Sequence, residues 1–457
     1  MLLVGWAVHE TEPLMKIMVA WSMLCMGGII FSQYVFFRDK DWMALPIAFY
    51  LPYWLIYYLI PTRRLYEEGY LERKVHLVSD QYWPQATHLA SLSISAFMIG
   101  FYILAKRVGR GSYVTDGKTI EGGRRRIICI TAWILLIATT VTFIQFMMKG
   151  GINLYGGGYV HVGHLEWGAR ASSIAFETCF RAAVCAWSIY IILGSGFSWR
   201  NVVPVLVLGG MLSAFIWAGD RDLLVWAGIC AIVVLAYRRP IRWYEMGAAL
   251  VVGGLVLAFV ENYRAIEVKT MSEAANVIKE DVGVSKGLAG FSESLAPTVT
   301  NAFALVDEQG HFGGVFFMQN LAGIIPLYSS IFPWLPSAKD SVMSGTGAYI
   351  TDYVFGYHPY GLATTIVTDL YVDFPYVGVV AVMTLYGLFA GALYRFRGSG
   401  KYMEGLFSYA LLLPGFMAAT RGSGSGILRM TWSILLYLCV VLSVVLISRT
   451  RSVKSKD

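Results

Sequence analysis

The sequence predicts an all-α polytopic membrane protein with about eleven transmembrane helices, within a range of roughly ten to fourteen. Composition is the first reason. The chain has 457 residues, 57% hydrophobic and 14% charged, with a mean hydropathy of +0.58, whereas soluble domains are about 25% charged. Length of the apolar runs is the second. Stretches of roughly 18 or more apolar residues recur, enough for a helix to cross a hydrocarbon core of about 30 Å. The third is the placing of cations in the connections between those runs, where the positive-inside rule uses them to orient a chain. The net charge of +7 therefore speaks of topology and not of nucleic acid.

In chain order the spans are expected near 15–37, 42–60, 85–105, 127–147, 172–193, 202–218, 223–236, 245–260, 376–394, 403–419 and 430–448. Those at 202–218 and 223–236 are short for the bilayer, which suits a tilt or a position around a water-filled cavity. KRVGR, GRRRII, YRRPIRW, YRFRGSGK and the tail SRTRSVKSKD alternate correctly if all face the cytoplasm. The opposite side then receives the N-terminus, residues 61–84 and 148–171, the GDRD turn, residues 262–375 and the TRGSGSG turn. Three regions follow: membrane helices over 1–261, a large exterior loop with short helices over 262–375, and membrane helices with a basic tail over 376–457. A structureless loop of that length is improbable, so the exterior segment is expected to be a packed cap over an outward-facing cavity. MLLVGWAVHETEPL is acidic where a cleavable signal is basic, so no such signal is expected.

The six cysteines all fall in apolar runs and read as small buried hydrophobes, without a disulfide framework. HVGH at 161–164 places two histidines three apart but lacks a third ligand nearby, so no metal and no cofactor is expected.

The chemistry gathers on the exterior side. Arg221 in GDRD, Arg264 beside Tyr263 in ENYRAIE, Lys339 in PSAKDS, and Arg421 and Arg429 in TRGSGSGILRM place cations beside flexible or membrane-edge backbone. One such arginine alone snorkels to lipid phosphate. Several on the side where the rule disfavours them suit an anionic ligand, because a guanidinium fork matches phosphate oxygens and glycines let backbone N–H groups approach. A plain turn is the simpler reading of RGSGSG. Glu177 and Arg181, four apart within the fifth span, either pair with each other or line the cavity. GYHPYGLATTIVTDLYVDF, residues 356–374, brings His358, Asp369, Tyr371 and Asp373 to the mouth of a span as an amphipathic stretch, with Asp352 a competing acid just before it. His358 and Asp369 are candidate proton carriers. The plainer alternatives are a histidine bonded inside the loop and an aspartate that caps or pairs, with Asp373 capping the span that follows.

These features, in this order, resemble the Wzy-type polymerases of lipid-linked oligosaccharides, including those for O-antigen and enterobacterial common antigen. IWAGDRDLLVWAGICAIVV, AFVENYRAIE, SIFPWLPSAKDSV, GYHPYGLATTIVTDLYVDFPYVGVVAVMTLYGLFAG and AATRGSGSGILRM carry the likeness, over roughly residues 200–440. GDRD departs from the family pattern, since Asp220 and Asp222 flank Arg221 and partly neutralise it.

The resemblance implies a GT-C-like, metal-independent glycosyltransferase of the bacterial inner membrane with its active site facing the periplasm. The substrate would be an undecaprenyl-diphosphate-linked oligosaccharide, and the partners membrane lipid and a Wzz-type co-polymerase, with no nucleic acid. Arg264 and Arg421 would recognise the diphosphate and join His358 and Asp369 as catalytic positions. Arg221, Tyr263, Lys339, Asp352, Tyr371, Arg429, Glu177 and Arg181 would contact substrate. The alternatives are an O-antigen ligase that passes glycan to the lipid A core, or a polysaccharide or lipid transporter. Transporters usually carry repeated halves, which this sequence does not show. A serine or HExxH protease lacks its histidines here.

Overall fold

The computed structural model describes residues 12–31, 45–58, 82–105, 122–150, 167–194, 198–217, 222–239, 241–242, 244–249, 251–253, 296–322, 345–356, 364–398, 403–420 and 425–454. Among these there are helices and no strand. The α-helices are α1 (Glu12–Phe31), α2 (Leu45–Tyr57), α3 (Trp83–Leu104), α4 (Gly122–Met148), α5 (Trp167–Leu193), α6 (Val202–Trp217) and α7 (Asp222–Arg238). They continue with α8 (Ala296–Gln309), α9 (Val315–Ala322), α10 (Thr346–Phe355), α11 (Ile366–Asp373), α12 (Tyr376–Gly398), α13 (Met403–Ala419) and α14 (Ser425–Lys454). Among the described residues, five stretches are long and apolar enough to cross a membrane: Trp83–Leu104, Gly123–Met148, Ala171–Leu193, Tyr376–Arg397 and Met430–Ser448. Shorter apolar helices include Lys16–Phe31, Val202–Ile216 and Met403–Ala419. As expected, α6 and α7 are short, at 16 and 17 residues.

The tightest packing joins α3 to α12. Gly387 and Gly391 lie four apart, and a methyl group on either would strike a carbonyl of α3, that of Phe97 or Phe101. On the facing helix, Gly100 meets the Thr384 carbonyl in the same way. Small residues at this spacing let two backbones approach in a bilayer, where no hydrophobic force drives helices together. The register advances in step, with His88 beside Tyr376, Phe97 against Gly387 and Phe101 against Gly391. The two helices therefore run parallel, and they begin at the same end of the bundle. That agrees with the charge rule, which starts both on one side.

The next pair, α4 and α5, is antiparallel: Trp187 donates to the Ala132 carbonyl at 3.1 Å, while Phe143 packs on Phe176 nearer the other end. Phe215 of α6 stacks on Phe176 with a centroid distance of 5.1 Å, closing an aromatic layer across three helices. Tyr50, Tyr53 and Tyr57 of α2, and Tyr58 just after it, are all buried. Tyr50 donates to the Ser22 carbonyl of α1 at 2.6 Å, and Tyr53 donates to the Ala90 carbonyl of α3 at 2.8 Å. The Tyr58 and Ser91 hydroxyls share a bond of 2.8 Å. An unmade bond is costly where water is excluded, so these hydroxyls fix the rotation of α2 against its neighbours.

Candidate functional site

The short helix α11 lies directly before α12, at the end of that helix opposite Arg395 and Arg397. Thr365 starts it in extended backbone (φ −127, ψ 155), and its side-chain oxygen accepts the Thr368 N–H at 3.1 Å. Such a cap satisfies one of the free N–H groups of the first turn. The stretch was expected to be amphipathic, and here the structure differs: all eight residues of α11 are buried. The reason is its surroundings. α8, α9, α10, α12 and α3 all pack against it, so it has no solvent face.

Two carboxylates, four residues apart, are thus carried into the interior. Asp373 is satisfied. Its carboxylate accepts the backbone N–H groups of Phe316, at 3.1 Å, and Phe317. These belong to the first turn of α9, where free N–H groups and the helix dipole favour an anion. Asp373 therefore caps α9, not the span α12 that follows it in sequence. Further bonds hold the chain entering α9 against the end of α11. Phe312 N–H donates to the Val372 carbonyl and Gly313 N–H to that of Asp373, each at 3.0 Å. His311 Nδ1 meets the Tyr371 carbonyl at 2.8 Å. Gly310, Gly313 and Gly314 all have positive φ, and this wrapping needs it. Burial raises the Asp373 carboxyl to about 6, opposed by the three backbone N–H groups and by nearby His311.

Asp369 is not satisfied. It is 5% exposed, and neither carboxylate oxygen has a hydrogen-bond partner among the described residues. Thr346 and Thr364 bring hydroxyls toward it without a well-formed bond, and the Thr346 hydroxyl is itself buried without a partner. Desolvation lifts the carboxyl to about 7, with Asp373 adding to the rise. Beside it is a cavity of about 10 Å³, room for a single water or hydroxyl oxygen. Phe317, Asn320 and Leu321 of α9 line that cavity, with Ile366, Asp369 and Leu370 of α11 and Tyr386 of α12. A buried carboxyl poised near neutrality beside an open position is an arrangement associated with proton transfer.

α2 buttresses this site. The Tyr57 and Thr365 hydroxyls bond each other, and Thr365 continues to the Thr368 hydroxyl at 2.7 Å. Tyr57→Phe breaks the link at its first member and is expected to destabilise by about 1 kcal/mol. A lower melting temperature in detergent, without a change of fold, is the readout.

The remaining sequence candidates distribute as follows. Asp369 and Tyr371 share α11, and Asp352 lies on α10, which packs on α8 and α11. Tyr371 stacks on Phe303 at 4.1 Å and is 7% exposed. Glu177 and Arg181 on α5 form an ion pair at 2.6 Å, with Ser173 donating to Glu177 at 3.4 Å. Their helix packs mainly on α4, α7, α13 and α14. His358, Arg264, Tyr263, Arg421, Arg221 and Lys339, and the histidines of HVGH, lie outside the described residues, as does the side chain of Arg429. Among the described residues no three His, Cys, Asp or Glu side chains gather as a metal site would need.

Sequence reading missed the capping of α9 by Asp373. The i, i+4 spacing of the two aspartates was a signal that they share a face, but nothing local pointed to a partner 57 residues earlier.

Among protein families, the one described as O-antigen polysaccharide polymerase Wzy matches this chain over residues 6–451. No curated protein matches it, and no solved structure does.

Proposed function

The chain belongs to the O-antigen polysaccharide polymerase Wzy family, and on that premise we propose that it joins repeat units carried on undecaprenyl diphosphate at the periplasmic face of the bacterial inner membrane. Membership and the five long apolar helices make it a multi-pass membrane polymerase of lipid-linked oligosaccharide. In the proposed reaction an acceptor hydroxyl on one lipid-linked unit attacks the anomeric carbon of the growing glycan. The bond from that carbon to the diphosphate breaks, undecaprenyl diphosphate leaves, and the hydroxyl proton passes to a base.

Charge builds on the leaving diphosphate, and cations placed for it stabilise the transition state. Arg264 and Arg421 are proposed for that role, with Arg221, Lys339 and Arg429 as further contacts. His358 and Asp369 are the proposed proton acceptors. What supports Asp369 is its buried carboxyl, unpartnered among the described residues, and the hydroxyl-sized cavity beside it. A Wzz-type co-polymerase is the proposed partner, and 262–375 the proposed exterior cap.

The match over nearly the whole chain carries this reading. Its test is purified protein in liposomes supplied with lipid-linked repeat units and nothing else. A ladder of lipid-linked glycans on a gel is expected. Transfer that occurs only when lipid A-core is added would make the chain a ligase instead. Movement of intact substrate across the bilayer, without new linkages, would make it a transporter.

A further inference from the structure

Asp373 does more than close a hydrogen-bond account. Its carboxylate holds the first turn of α9 by the N–H groups of Phe316 and Phe317. The same helix, through Phe317 itself and through Asn320 and Leu321 one turn further on, lines the cavity beside the Asp369 carboxyl. The two aspartates are one helical turn apart on α11, so the clamp and the group that it covers belong to a single rigid element. Before α9 the chain turns through three glycines of positive φ. Asp373 and backbone bonds to the end of α11 anchor the start of α9, and ring contacts of Phe316 with Tyr349 and of Phe317 with Phe374 add to them.

We propose that Asp373 is a positioning residue for Asp369: it pins α9 as a roof over the Asp369 carboxyl and so keeps that carboxyl out of water. The inference rests on the reading of Asp369 as a proton acceptor. Its physical content is a division of labour between two acids of one helix. One is fully hydrogen-bonded and acts on backbone. The other has no hydrogen-bond partner among the described residues, so an incoming hydroxyl can be its first. A carboxylate bathed in water would be a weaker base, and rate follows basicity.

Among the described residues, the titratable groups that bear on the two acids are these. Facing Asp369 are Asp373 on its own helix, Tyr386 from α12 and Tyr57 from α2. From α9 the cavity receives Phe317, Asn320 and Leu321, and from α10 the Thr346 hydroxyl approaches; none of these four titrates. Facing Asp373 are His311 and Asp369 itself.

The test uses the full chain in liposomes and scores chain extension against pH for wild type, Asp373→Asn, Asp373→Glu and Leu321→Ala. Asp373→Asn removes one acceptor and the charge. Leu321→Ala opens the roof and leaves every charge in place, which separates desolvation from Coulomb repulsion. For both, the rising limb of kcat is expected to move down by about one pH unit, toward the ordinary carboxylate range. A fall in kcat of about tenfold or more is expected at pH 8, with KM for the lipid-linked unit nearly unchanged. Asp373→Glu, which retains an acceptor for the N–H groups, is expected to recover part of the wild-type limb. Amide hydrogen exchange at Phe316 and Phe317 is expected to speed up in Asp373→Asn.

If Asp373→Asn lowers only the yield of folded protein and leaves the limb where wild type has it, Asp373 is merely structural and the proposal fails. If Asp373→Asn does not fold, an unmoved limb in Leu321→Ala overturns it equally. Full activity in an Asp369→Asn control would remove the proton-acceptor reading itself, and that outcome is distinct from failure of the clamp.

Discussion

Asp369→Asn is expected to slow chain extension by about 10²–10⁴-fold, the range that general acid–base groups contribute, while making the protein more stable above neutral pH. Both effects come from one feature, a carboxyl buried without a hydrogen-bond partner among the described residues. Desolvation holds it near 7 in the folded chain against an ordinary value of 3.8. The folded state therefore binds this proton more tightly than the unfolded chain does. The resulting stabilisation is complete below about pH 4, declines as pH rises through the window from about 4 to 7, and is gone above it. At pH 8 the ionised carboxylate is a net cost, on the order of a few kcal/mol. Asparagine keeps the shape and removes the charge. Melting of the two proteins in detergent is expected to show a higher transition for Asp369→Asn at pH 8 and a much smaller difference at pH 5. A variant that melts lower at pH 8 would mean that the carboxylate has a partner the structure does not show. Stability given up at a reacting group is the usual trade between activity and robustness.

Gly387→Leu is expected to have the largest effect on folding. Even a methyl group there would meet the Phe97 carbonyl, and Phe101 N lies 2.9 Å from the same point. Backbone atoms of a helix cannot swing aside as a side chain can. α3 and α12 would have to separate, and the whole contact that sets α11 above them would shift. A cost above about 3 kcal/mol follows from overpacking of this kind. Gly387→Ala is expected to be harmful as well, though less so. Gly209→Ala in α6 is the contrast, because nothing lies within 4 Å of its added carbon. Alanine there relieves glycine's helix penalty of roughly 1 kcal/mol. Size-exclusion profiles and melting curves in one detergent check all three. A monodisperse, wild-type-like Gly387→Leu would show that α3 and α12 do not approach as closely as described.

How much of this was legible beforehand depended on whether the signal was local. Hydropathy placed α3, α4, α5, α12 and α14, because twenty apolar residues carry their own evidence. It also marked α6 and α7 as short. The spacing of Glu177 and Arg181 offered a pair or a cavity lining, and the structure shows the ion pair. GLFAG was in plain view from Gly387 to Gly391, but its meaning depends on Gly100, almost 290 residues away, so it read only as part of a span. The same distance problem hid Asp373's role: its partners are backbone N–H groups of α9, and no residue type announces them. Asp369 was singled out because an acid at the mouth of a span is unusual. That it would be buried followed from five packing helices and could not be read from the amphipathic look of its own stretch. His358, Arg264 and Arg421, which the sequence weighted most, lie outside the described residues, so their part in the site is carried by proposal alone.

The most direct measurement is the rate of chain extension by purified protein against pH, with saturating lipid-linked repeat units. If Asp369 accepts the proton, the rate rises with pH through a single ionisation near 7, and the residual activity of Asp369→Asn lacks that rise. A wild-type rate that stays level from pH 5 to pH 8, or an Asp369→Asn enzyme that follows the same curve at full rate, would contradict it.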